Sequence, residues 1–318
     1  MEAIREAVDE EMARDPTVIF LGTDVGPIGG SMGELLGTYE KYGPERMRET
    51  PISETAIVGA AIGAAAGGMR PIAEVSFIDF LYIPMSEIIN ELTKMRWIHR
   101  GRVKMPVTIR SMTGALGAGF QHGKCNEGIF ACIPGLKVVL PSTPYDCKGI
   151  LKAAIRDDNP VLFLEHRKFL VSSDRSPIPE EDYIIPIGKA DIKREGGDVT
   201  VVATMLMVHR ALAAADKLQE KGISLEVIDP ITLAPLDKQT IIESVKKTGR
   251  LVVMTKECRT GSSAAEIIAT VAEEAFDYLD APIKRVNSLD SPIPYGPALE
   301  AFFMPSEEDL MKAVTEIT

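Results

Sequence analysis

Two residues have side chains and sequence positions suited to proton chemistry. Glu54 follows Ser53 at the head of ISETAIVGAAIGAAAGG, a stretch with helical character. An acidic residue in a first helical turn ordinarily complements the helix dipole, and it can also present a carboxylate to a ligand at the helix N-terminus. His122 lies in GALGAGFQHG, a glycine-rich loop that follows the β-rich run Val107 to Arg110. Such a histidine is either a plain surface residue or a general acid or base at the carboxyl end of a strand, where α/β sheets place their sites. Cysteines 125, 132, 147 and 258 form no CxxC pair and show no metal-ligand spacing with histidines 99, 122, 166 and 209. They read as free thiols in a reducing cytoplasm.

The glycines are of an unusual kind. No GxGxxG opens a helix and no GxxxxGK[ST] occurs, so dinucleotide and P-loop readings have no support. Gly59, Gly63 and Gly67 instead recur every four residues among alanines, giving a helix one face of which is nearly free of side chains. Each glycine costs helix propensity, about 1 kcal/mol relative to alanine, and allows a close approach in return. That approach is either a tight helix contact, such as one between subunits, or a helix whose N-terminus meets a ligand.

The elements that would position these residues alternate along the chain. Strands are expected at Val18 to Gly22, Pro71 to Val75, Val107 to Arg110, Lys137 to Leu140 and Val161 to Glu165, with helices at Ser53 to Gly67, Pro84 to Trp97 and Pro144 to Asp157. Thr143 is the expected N-cap of the last, with Pro144 at its first position. From about Ser172 to Gly197 the periodicity fades into SSDRSPIPEED and KREGGD, the expected linker. Beyond it come strands at Val199 to Thr204, Ser224 to Ile228, Arg250 to Thr255 and Ile283 to Val286, and helices at Met207 to Lys221, Asp237 to Thr248 and Ser263 to Tyr278. A final helix starts from a capping-box pattern, Ser306 with Asp309. This is an α/β chain with two parallel-sheet domains.

Composition narrows the classes. A length of 318 residues with 45% hydrophobic and 25% charged content suits a two-domain globular protein. The net charge of -11 argues against nucleic-acid and anionic-membrane surfaces, which require excess Lys and Arg. The N-terminal MEAIREAVDEEMARDP is a charged amphipathic helix without a signal peptide's apolar core, and no run approaches the length of a membrane span. The expectation is a soluble cytoplasmic chain.

Several ordered stretches resemble one family. LGTDVG, ETPISETAIVGAAIGAAAGGMRPIAEVSFIDF, QHGKCNEGIFACIPGLKVVLPSTPYDCKGILKAAIRDDNPVLFLEH and VTVVATMLMVHRALAAADKL are similar to β subunits of thiamine-diphosphate-dependent 2-oxo acid dehydrogenases. The acetoin dehydrogenase β subunit looks nearest, and IDPITLAPLD and RLVVMTKE extend the likeness to the second half. The resemblance implies a transketolase-like pyrimidine-binding domain over residues 1–180 and a transketolase C-terminal-like domain over 195–318. It implies that Glu54 hydrogen-bonds the cofactor's pyrimidine ring nitrogen, favouring the imino tautomer that activates the thiazolium carbon. Phe80, in SFIDF, matches the aromatic position against the pyrimidine, and His122 matches the histidine implicated in proton transfer and acyl transfer to a lipoyl group. A potassium ion is implied at Val107, Ala154, Ile155, Asp157 and Asn159, although AIRDDNP would equally serve as a plain helix-ending turn.

The family anchors the cofactor's diphosphate through magnesium on a GDG motif, and this chain has none. An α subunit must then hold the magnesium, giving an expected α2β2 heterotetramer with a lipoyl acyltransferase as further partner. Two stretches depart from the family pattern. Where the family reads QHSQS this chain has Gln121, His122, Gly123, Lys124, Cys125, and the usual DQxxNxxAK helix keeps Asn90 and Lys94 but has Ser86 and Glu87 for the Asp-Gln pair. These departures leave the substrate open: pyruvate, acetoin, or another 2-oxo or sugar-derived compound. The alternatives are half of a split transketolase and a non-catalytic assembly subunit; Glu54 and His122 argue against the last.

Overall fold

The computed structural model describes residues 1–114, 117, 119–171 and 176–318. Ser172 to Arg175 of the expected linker lie outside them. By internal contacts the chain divides into two compact units, Met1–Gly114 with Phe130–Ile187, and Ala115–Ile129 with Gly188–Thr318.

The elements run α1 (Glu2–Arg14), β1 (Val18–Gly22), α2 (Thr38–Tyr42), β2 (Met47–Glu49), α3 (Glu54–Ala66), β3 (Arg70–Phe77), α4 (Thr93–Ile98), β4 (Thr108–Thr113), α5 (Glu127–Ala131), β5 (Lys137–Val139), α6 (Pro144–Arg156), β6 (Val161–His166) and α7 (Arg167–Leu170). They continue with β7 (Asp191–Arg194), β8 (Val199–Ala203), α8 (Leu206–Gln219), β9 (Leu225–Asp229), β10 (Thr232–Ala234), α9 (Lys238–Thr248), β11 (Leu251–Cys258), α10 (Ser263–Glu274), β12 (Lys284–Ser288), α11 (Pro297–Phe303) and α12 (Glu307–Thr315).

In the first unit the strands lie in the order β5-β6-β4-β3-β1-β2, and every pairing is parallel. Helices cover such a sheet on both faces, so its strands read as apolar runs; β1 is buried at every position. The N-terminal helix packs on α6, where the buried Lys148 and Lys152 reach the carboxylates of Glu6 and Glu10. Thr143 caps α6 through a complete capping box with Asp146, with Pro144 at the first position.

The second unit has the order β12-β11-β8-β9-β7. All its pairings are parallel except β7 with β9. This edge strand corrects the expectation of a linker through Gly197: DIKR is polar and largely exposed, so its sequence carries no apolar signal and its place comes from antiparallel pairing alone. Val202, Ile228, Val245, Leu251, Val253 and Ile267 are among the buried side chains of its core. Ser306 and Asp309 form both bonds of the expected capping box at α12. The expected helix from Pro84 to Trp97 is instead a π-helical stretch, Glu87–Leu92, leading into α4.

Candidate active site

The chain leaves the carboxyl end of β2 and reaches Glu54 within a few residues, as the first residue of α3. The approach is fixed by a neighbouring carboxylate: Glu49 accepts from the N–H groups of Asp24 (2.8 Å) and Gly26 (2.6 Å). A Cβ on Gly26 would stand 2.8 Å from Glu49 Oε2, so a side chain there would displace this carboxylate from its backbone donors. Ser53 makes no side-chain cap bond. The half-buried Glu54 carboxylate forms no hydrogen bond or ion pair with the described residues. A partly desolvated carboxylate at a helix start with no internal donor is available to a donor from outside the chain. The α3 face beside it is equally bare. Gly59 and Gly63 have no atom within 4 Å of where a Cβ would stand, and Ile52 is 80% exposed.

Phe80 follows the carboxyl end of β3 on a 3-10 turn, Ile78–Tyr82. Its half-buried ring packs edge-on against Phe77, centroids 5.9 Å apart at 89°, and the Arg167 guanidinium lies 5.5 Å from the Phe77 ring centroid. Thus Glu54 and Phe80 share the carboxyl edge of the first sheet, the edge at which parallel α/β sheets bind ligands.

Beneath this edge is a cluster that sequence reasoning missed. Arg110 on β4 is fully buried and meets three buried carboxylates: Glu34 Oε1 at 2.7 Å, Glu74 Oε2 on β3 at 2.5 Å, and both oxygens of Glu165 on β6. Burial pushes the Glu74 carboxyl up to about 8 against the pull of Arg110, and burial likewise raises Glu165. Glu34 goes the other way: burial pushes upward, but the Arg110 charge and backbone N–H donors hold it below the ordinary range. Through Glu34 the loop after β1 is tied to the sheet. The signal available in sequence was a charge inside each of two apolar strands, RPIAEVSF and VTIRSM.

His122 belongs to the second unit, in the segment Ala115–Ile129. It is half-buried, and its backbone N–H donates to Gly119 O at 3.3 Å. Gly117 N–H donates to Glu300 Oε2 at 2.6 Å, and Gly128 N–H to Glu257 Oε1 at 2.8 Å. Burial, and then Glu127, raises Glu257 to about 7. Gly123 and Cys125, which stand where the family has serines, are both buried. In the other departing stretch Asn90 Nδ2 donates to Ser86 Oγ at 3.4 Å and Lys94 Nζ to Asn90 Oδ1 at 3.0 Å, a ladder of successive turns.

The five expected potassium positions lie at the opposite, amino edge of the first sheet. Val107 O accepts from Val161 N–H and Ala154 O from Asp157 N–H. Ile155 O and Asp157 O accept from Arg70 Nη1 at 3.1 and 3.0 Å, while the Asp157 carboxylate pairs with Lys137 and accepts from the Asn159 side-chain amide at 2.8 Å. Lys137 and the Asn159 donors hold the Asp157 carboxyl low in spite of burial. Two side-chain cations, Arg70 and Lys137, thus lie against this cluster.

Comparison with known proteins decides the family. Residues 1–171 match the transketolase pyrimidine-binding domain and residues 188–310 the transketolase C-terminal domain. The chain is 45% identical to the 2-oxoisovalerate dehydrogenase subunit beta of Bacillus subtilis, over 100% of this chain and 97% of that one. It belongs to the transketolase-type dehydrogenase β-subunit family. Another member, the acetoin:2,6-dichlorophenolindophenol oxidoreductase subunit beta of Cupriavidus necator, is 47% identical over 98% of this chain and 94% of its own. The pyruvate dehydrogenase E1 component subunit beta-1 of Arabidopsis thaliana is 43% identical over 98% and 87%. A structure titled split gene transketolase, inactive beta4 tetramer, superposes with a TM-score of 0.82 over 99% of this chain and 96% of that one; at 24% identity it shows the fold alone. The family is one of oxidoreductase subunits, and it is thiamine-diphosphate-dependent. Among the described residues no helix is long and apolar enough to cross a membrane.

Proposed function

We propose that this chain is the β subunit of a thiamine-diphosphate-dependent dehydrogenase acting on a 2-oxo acid or on acetoin, working with an α subunit in a cytoplasmic α2β2 assembly and delivering the acyl unit to a lipoyl acyltransferase. The observation that carries this reading is the half-buried Glu54 carboxylate, without a partner among the described residues, at the carboxyl edge of the sheet in a member of this family. The residues present suit the cofactor's aminopyrimidine: a carboxylate for a ring nitrogen, an aromatic face at Phe80, and an α3 flank without side chains. When bound, thiamine diphosphate supplies a carbon nucleophile that adds to the substrate carbonyl and accepts the electron pair released as the adjacent bond breaks.

Glu54 would hold a proton at the pyrimidine ring nitrogen, leaving the exocyclic amino group as the local base. His122 would move a proton at the lipoyl sulfur as the acyl unit is transferred. No step runs through the Val107, Ala154, Ile155, Asp157 and Asn159 positions. Magnesium, with no GDG motif in this chain to bind the diphosphate, would be held by the α subunit.

The test is Glu54→Gln in the assembled complex. Fold and assembly are retained, while deuterium exchange at the thiazolium carbon slows by about 10²-fold or more, the range for a lost proton-transfer partner. Exchange at the wild-type rate overturns the assignment. The relatives' names span 2-oxoisovalerate, acetoin and pyruvate. The substrate is then the one of these three that the complex turns over with the highest kcat/KM.

A further inference from the structure

The segment that carries His122 is fastened by a carboxylate that takes no part in the proposed chemistry. Glu257, near the end of β11, is 4% exposed. Its Oε1 accepts the N–H of Gly128 at 2.8 Å, six residues beyond His122. The other oxygen accepts the N–H of Ser263 at 3.0 Å and also the Ser263 hydroxyl, at the first residue of α10. One buried carboxylate thus satisfies donors at the starts of both α5 and α10.

The approach is too close for a side chain: a Cβ on Gly128 would stand 2.9 Å from the Ser263 nitrogen and 3.0 Å from Glu257 Oε1. Beside this clamp the buried Glu127 and Lys256 pair at 3.3 Å. At the other end of the segment, Glu300 Oε2 takes the Gly117 N–H at 2.6 Å. The Tyr295 ring stands 2.8 Å from where a Cβ on Gly119 would be. His122 therefore sits on a span anchored at both ends within the second unit.

We propose that Glu257 is a positioning residue for His122, fixing the span through Gly128 so that the imidazole reaches the lipoyl-transfer step in working geometry. This rests on the proposed role of His122. The clamp acts through backbone donors, and an ångström of misplacement costs up to about 10²-fold in rate.

The experiment uses the assembled complex and compares lipoamide with a dye acceptor that bypasses the lipoyl step. Glu257→Ala lowers kcat with lipoamide by about 10- to 100-fold, leaves KM for the carbonyl substrate within about twofold, and keeps most dye-linked activity. Glu257→Gln, nearly isosteric and retaining one acceptor oxygen, recovers part of the loss and carries the test if the alanine variant fails to assemble. Hydrogen exchange of the peptide around Gly128 speeds up in both variants. Adding His122→Ala to Glu257→Ala causes no further loss beyond His122→Ala alone, because both act through one group. Full lipoamide activity in both Glu257 variants beside a lipoamide-defective His122→Ala overturns the positioning role and leaves the His122 role intact. A His122→Ala variant that is wild-type in both assays overturns the His122 role itself.

Discussion

At neutral pH the Arg110 site sets three carboxyl groups against one guanidinium, and burial shifts Glu74 furthest towards its neutral form. Its folded-state pKa of about 8 lies above the ordinary 4.5. Below the ordinary value both folded and unfolded chains carry the proton, so the contribution to stability is complete there. As pH rises from 4.5 to about 8 the unfolded chain gives up the proton while the folded chain keeps it, so stability falls across that window and levels off above it. Glu74→Gln, a neutral mimic, should remove a slope of at most about 1.4 kcal/mol per pH unit. Denaturant titrations of wild type and variant across the window read the difference directly; parallel profiles would show that the proton resides elsewhere. The sequence showed only isolated charges inside strands, not their partnership, because Glu34, Glu74, Arg110 and Glu165 converge only when β3, β4 and β6 align. Glu54 and His122 were visible as candidates, but their spacing left a dipole complement and a surface histidine equally open. The family resemblance, not periodicity, raised them to site residues. The Glu257 to Gly128 clamp spans 129 positions and leaves no local trace.

Among the elements, α3 is the one built against its own stability. Gly59 and Gly63 occupy its interior with ordinary helical backbone and empty space beside them. In the chain alone, then, Gly63→Ala should stabilise the fold by about 1 kcal/mol, the helix-propensity difference. If a partner covers this face, the same methyl intrudes on the contact and weakens assembly with the α subunit. Thermal melts of the isolated chain and sedimentation of the mixture separate the two effects. A variant that is neither more stable alone nor weaker in assembly would remove α3 from the interface. The glycine spacing made this helix legible in sequence, whereas the π-helical stretch at Glu87–Leu92 was not, since its side-chain pattern reads as an ordinary helix. β7 was hidden for the opposite reason: a short, polar edge strand gains its structure only from β9.

For the whole molecule, the alternation of largely apolar runs and helices was enough to foresee two mostly parallel sheets, because strands covered on both faces are buried at every position, as β1, β4, β6, β8 and β9 are. What sequence could not show is that the His122 segment joins the second unit, since its anchors Glu257, Tyr295 and Glu300 lie far along the chain. In the proposed assignment Glu54 and Phe80 face the pyrimidine, while the sequence has no GDG motif for the diphosphate, so the cofactor site is completed by the α subunit. Calorimetric titration of thiamine diphosphate with magnesium tests it most directly. The chain alone should give little heat, and the mixture with its α subunit should bind one cofactor per αβ pair with a sharp transition. Tight stoichiometric binding by this chain alone would contradict the account.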